Sequence, residues 1–143
     1  MKLKILIGLS ISLLATLTTP PTFGAASCVL ADLNGNWQLT FPIDINRSLV
    51  CRSIVVSSGA ISASGTCISY SQDGSITTTA DITGGTVSVT SGCSLSAFTL
   101  DTNYWSFDLI KGWMTDNSQV ISGAWRIQTG LAIGSVSGTG IKH

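Results

Sequence analysis

The sequence contains no glutamate, and its single histidine, His143, is the last residue. Seven Lys and Arg balance seven acidic residues, all of them Asp. With charged residues at only 10% and no basic excess, nucleic acid is not an expected partner. Nucleophilic sites of the Ser-His-Asp or Cys-His kind need a histidine held in place, and a chain end frays. Two-carboxylate hydrolysis would fall to Asp101 and Asp108, which flank an aromatic segment; isolated Asp residues near turns more simply cap or solubilise. There is no Cys-x-x-Cys pair and no internal His, so a zinc site is not expected. Asp32-Leu33-Asn34-Gly35-Asn36 is too short for a calcium loop and lacks a closing Glu. The Gly134 to Gly140 segment has neither the helix nor the Lys that a phosphate cradle needs. No metal, no cofactor and no catalytic set are therefore expected, which points to binding or architecture.

What is present begins with a leader. Lys2 and Lys4 precede an apolar run from Ile5 to Leu17, Pro20-Pro21 ends it, and Gly24-Ala25-Ala26 offers small residues to a peptidase. That is the layout of a secretory signal peptide over 1–26, leaving 27–143 as one exported domain in the periplasm or outside the cell. The run is too short to span a bilayer, so no membrane span is expected in the mature chain. Ala25-Ala26-Ser27-Cys28 also resembles a lipoprotein cleavage site, but Ala25 stands where a Leu is usual, and ordinary cleavage is the preferred reading. Without the leader the chain carries five basic side chains against seven Asp, and more than a third of it is Ser, Thr and Gly.

Cys28, Cys51, Cys67 and Cys93 form an even set in an exported chain, so two disulfides are expected, with three possible connectivities. Cys51 and Cys67 flank Ser57-Ser58-Gly59-Ala60, which reads as a hairpin tip. They face each other if the loop holds an odd number of residues; a two-residue Ser58-Gly59 loop offsets them by one. The favoured pairing is Cys51–Cys67, leaving Cys28–Cys93.

No segment after the leader has helical periodicity. Trp37, Leu39 and Phe41 alternate with polar residues; so do Trp105, Phe107 and Leu109, and Ile121, Gly123, Trp125 and Ile127. Turn signals at Asn34-Gly35, Ser58-Gly59, Asp73-Gly74, Gly84-Gly85, Ser91-Gly92, Asp116-Asn117 and Thr129-Gly130 divide the chain into short strands. The expected fold is all-β, a single antiparallel up-and-down barrel of about eight strands, with a two-sheet sandwich as the alternative.

Gly35-Asn36-Trp37 at the start of the first strand resembles the Gly-x-Trp signature of calycin-type barrels: lipocalins, avidins and small exported bacterial protease inhibitors. The resemblance implies that Gly35 and Trp37 lie at the closed end of a barrel. It also implies that a late basic residue packs on the Trp, Arg126 in the first instance or else Lys142. The inhibitors carry a Cys pair after that strand, which Cys51 and Cys67 resemble in order. The expected function is non-enzymatic binding of a small apolar ligand, or of a protein partner at the loop rim; the alternative is a structural or surface interaction module, or a protease inhibitor with a filled barrel. Trp105, Phe107, Trp113 and Trp125 are candidate ligand-lining residues, although large aromatics more simply fill cores. Trp113 is the best candidate for exposure, because Gly112 precedes it and a turn follows.

Overall fold

The computed structural model describes residues 27–115, 117–129 and 133–143. The segment read as a leader lies outside the described residues, as do Asp116 and Gly130 of the turn signals. A short 3₁₀ helix, Leu30–Leu33, precedes the strands β1 (Gly35–Asp44), β2 (Arg47–Ser57), β3 (Ala60–Ile61), β4 (Thr66–Ser71), β5 (Ile76–Val89), β6 (Ser94–Thr102), β7 (Trp105–Met114), β8 (Val120–Thr129) and β9 (Ile133–Lys142). Every pairing is antiparallel, and β1 bonds to both β2 and β9. The sheet thus closes on itself as an eight-stranded barrel, with the two-residue β3 as one extra strand. Closure pairs the strand edges, which the described residues, with only one short 3₁₀ helix, have no other element to cover.

The alternation read from sequence becomes an inward and an outward face. On β1, Trp37, Leu39 and Phe41 are buried and their neighbours are not. On β8, Ile121, Trp125 and Ile127 point in while Ala124 and Arg126 are exposed. The middle of the lumen is packed solid. Phe41 stacks on Phe107 with 5.2 Å between centroids, and Trp125 meets Phe41 and Phe98 edge to face. Strand β9 makes room for these rings by omitting side chains. A Cβ on Gly138 would lie 2.5 Å from Phe41 Cδ1, and one on Gly140 would lie 2.5 Å from Leu39 Cδ2. Pairing large residues with inward glycines is how a narrow barrel fills without overpacking.

Both expected disulfides form. Cys51 and Cys67 are direct cross-strand partners, yet the Ser58-Gly59 loop has two residues, with Ser57 opposite Ala60. Both hold because residues 62–65 insert one extra residue between the pairs Val56–Ile61 and Arg52–Thr66. That bulge shifts the register by one and returns the cysteines to the same face. Gly65, at φ +88, sits in it where a Cβ would run into the Arg52 carbonyl.

One turn signal is corrected. Gly84-Gly85 is not a turn: β5 runs through it from Ile76 to Val89. The glycines lie at a β-bulge against β6, and a Cβ on Gly85 would collide with the Thr99 carbonyl. Here β5 exchanges β4 for β3 as its neighbour on one side, and the bend needs backbone without side chains.

Candidate functional site

The two ends of the barrel differ. One end is sealed. Asp32 Oδ2 accepts the Val29 N–H at 2.8 Å and folds the first segment into its 3₁₀ turn. Leu33 is buried beneath it, and its carbonyl accepts the Trp37 indole N–H at 2.7 Å. The Cys28–Cys93 bridge straps this segment to the turn between β5 and β6. Lys142 lies over Trp37, its Nζ 5.9 Å from the ring centre, and donates to the Asp32 carbonyl at 2.9 Å. Gly35 adopts φ +140, which side-chain-bearing residues rarely adopt, and its lack of a Cβ leaves room for the Lys142 stem, whose Cε would otherwise lie 2.7 Å from it. Of the two basic residues expected on the Trp, Lys142 takes the place and Arg126 does not. Strand parity decides this: Arg126 is the outward neighbour of inward Trp125 and stands opposite Asp108 on the outer surface.

The other end is open and holds a cup of about 660 Å³. Its wall has two arcs. From β1, β7, β8 and β9 come Ile43, Trp105, Ile127, Ile133 and Val136, with Thr129, Gly134 and Ser135 between them. From β2, β4 and β5 come Arg47, Leu49, Ser69, Thr77 and Thr78. Trp105 is placed by the turn before it. Thr102 Oγ1 accepts the Trp105 N–H at 2.7 Å and donates to the Trp105 carbonyl at 2.9 Å. Asn103 ties that turn to β5: its N–H donates to the Asp81 carbonyl and its Oδ1 accepts the Asp81 N–H. Arg47 at the rim spends its charge on Asp44, with Nε at 2.9 Å and a terminal nitrogen at 2.8 Å from the same Oδ2. That hydrogen bond, then the Asn46 N–H, holds the Asp44 carboxyl below its ordinary range. Asp73, on the next turn of the same end, is held low by the Ser75 backbone N–H and hydroxyl.

Of the four aromatic residues expected to line a site, only Trp105 lies on the cup. Phe107 and Trp125 are fully buried in the packed middle of the lumen, where large rings leave no space for a ligand. Trp113 is on the outer surface, 54% exposed, paired with Ser94 and Ser122. Asp101 and Asp108 also face outward, and Asp108 accepts the Gln128 side-chain N–H at 3.0 Å. Among the described residues no three His, Cys, Asp or Glu gather as a metal site. No helix among them is long and apolar enough to cross a membrane.

The sequence reading missed the cup's hydroxyl arc, although parity carried the signal. Ser69 shares a face with Cys67, two residues before it, and Thr78 shares one with buried Ala80. Once the Cys51–Cys67 pair faces inward, both hydroxyls must face inward as well. No protein-family model, no curated protein and no solved structure matches this chain.

Proposed function

We propose that this is an exported, non-enzymatic binding protein of lipocalin-like design, and that it takes a small apolar ligand in the cup at the barrel mouth. The observation that carries the reading is the cup: about 660 Å³, walled on one side by Trp105, Ile43, Ile127 and Val136, above a packed floor. That volume is in the range of small-molecule sites, which combine apolar walls with a few polar groups. The sealed opposite end supports the calycin comparison, and two disulfides suit an oxidising compartment. The test is titration of tryptophan emission with fatty acids and polycyclic aromatics. Trp105→Ala is expected to weaken binding about tenfold or more, while outward Trp113→Ala leaves it unchanged. A full panel without any bound ligand refutes the reading.

A protein partner at the rim is the second reading, favoured by a separate observation. The four hairpins of the open end each present an exposed apolar residue: Ile45, Ile76, Tyr104 and Ile133, with Ile45 at 92% and Ile133 at 70%. Exposed apolar groups gathered at one end mark interaction sites. Ile45→Ser with Tyr104→Ser, neither of them on the cup wall, is expected to abolish capture of a protein partner and to leave small-ligand titrations intact.

A further inference from the structure

The division of the cup into two arcs goes further than its volume. We infer that the cup selects an uncharged, hydroxyl-bearing ring compound: a flat apolar body against Trp105, with its hydroxyl edge on Ser69 and Thr78. The inference rests on the cup being a ligand site and adds the chemical class.

Three observations carry it. Ser69 and Thr78 are cross-strand partners on β4 and β5, both half-buried and both lining the cup. Neither side-chain hydroxyl is engaged within the described residues, whereas the neighbouring Thr77 hydroxyl already donates to the Ser69 carbonyl at 3.2 Å. The two hydroxyls therefore offer adjacent donors and acceptors to whatever fills the cup. A purely apolar occupant would displace their water and leave both unsatisfied, which selects against it. On the opposite arc, Trp105, Ile127 and Val136 offer ring and aliphatic surface to the ligand's body, with Thr129 and Ser135 of the same strands nearby on the wall. The third observation concerns charge. The one cation on the wall among the described residues, Arg47, already has two nitrogens on Asp44 Oδ2, so its charge is largely balanced before any ligand arrives. The cup thus presents hydrogen-bonding capacity without a free charge, and a neutral hydroxyl fits that better than a carboxylate.

The experiment uses three ring compounds of one shape, phenanthrene, phenanthrol and phenanthrene carboxylate, titrated into the oxidised protein and followed by tryptophan emission and calorimetry. Phenanthrol is expected to bind about tenfold tighter than phenanthrene, and the carboxylate no tighter than phenanthrol. In a variant combining Ser69→Ala and Thr78→Val the phenanthrol preference is expected to vanish while phenanthrene binds as well or better. Equal affinity for phenanthrene and phenanthrol, or a preference that survives in the variant, overturns the hydroxyl assignment and leaves the cup as an apolar site. Tightest binding by the carboxylate, lost with Arg47→Gln, overturns the neutral-ligand assignment. Absence of binding by all three, with Trp105 emission unmoved, sinks the cup reading and this inference together.

Discussion

Two tryptophans in the barrel interior are equally buried but differ in one hydrogen bond, and that difference sets up a controlled comparison. Trp37 is 1% exposed and its indole N–H donates to the Leu33 carbonyl at 2.7 Å. Trp125 is 0% exposed and its N–H has no partner among the described residues; its ring neighbours Phe41 and Phe98 offer no lone pair. Replacing either by Phe removes about 40 Å³ of side chain, which at about 24 cal/mol per Å³ of cavity costs about 1 kcal/mol. Lost burial of the second ring adds about 1 kcal/mol to both. Trp37→Phe also breaks a buried hydrogen bond and orphans a carbonyl, for a further 1–2 kcal/mol or so, making about 3–4 kcal/mol in all. Trp125→Phe instead removes an orphaned donor, relieving about 1–2 kcal/mol and bringing its total near zero to 1 kcal/mol. The expected gap of about 3 kcal/mol corresponds to about 10 °C in Tm for a domain of this size. Urea unfolding of the oxidised protein, followed by circular dichroism, measures it. Equal costs for the two variants would refute the claim that the Trp125 N–H is unsatisfied and that the Trp37 bond matters to the sealed end.

Gly138→Ala is expected to destabilise by about 1–3 kcal/mol through overpacking, because its Cβ would meet the Phe41 ring at 2.5 and 2.6 Å; Gly134→Ala, with nothing within 4 Å, is expected to change Tm little. Replacing Cys28 and Cys93 together by Ala opens a cross-link of sequence separation 65 and is expected to cost about 4 kcal/mol by chain entropy, read as a fall in the urea midpoint. By the same reasoning the Cys51–Cys67 link, of separation 16, contributes about 3 kcal/mol. The Asp44 carboxyl is expected to titrate below the ordinary aspartate range by carbon NMR, and Arg47→Gln to bring it back up, while Asp73, held low by Ser75, does not move. A depressed folded-state pKa means the Asp44–Arg47 contribution is complete above the ordinary range. It is lost as pH falls through the lowered value, so any stability change from this exposed pair appears only under about pH 4.

Much of the fold was legible because strand parity is a local property. Trp37, Leu39 and Phe41 on one strand, and Ile121, Trp125 and Ile127 on another, declare an inward face whatever they pack against. Hairpin geometry and the even cysteine count likewise led to both disulfides. The site was less legible. Aromatic residues were the natural candidates for a ligand surface, but Phe107 and Trp125 lie deeper in the lumen than Trp105. Depth along the barrel axis depends on how eight strands stagger, which no single strand records.

The sequence by itself determined the all-β class and the inward faces of the strands, because these follow from alternation and turn chemistry; the closed end on Gly35 and Trp37 came from a resemblance, and the Cys51–Cys67 pairing was the favoured one of three. Only the tertiary structure decided that Lys142 rather than Arg126 covers Trp37, since strand parity turns Arg126 outward while the last strand delivers Lys142 to the sealed end. It alone decided that Gly84-Gly85 bends a strand instead of ending one, because that depends on the approach of the Thr99 backbone from the neighbouring strand. It also decided that the open volume sits at the mouth, where the rings of Phe41, Phe107 and Trp125 stop and the residues of seven strands spread apart around a cup.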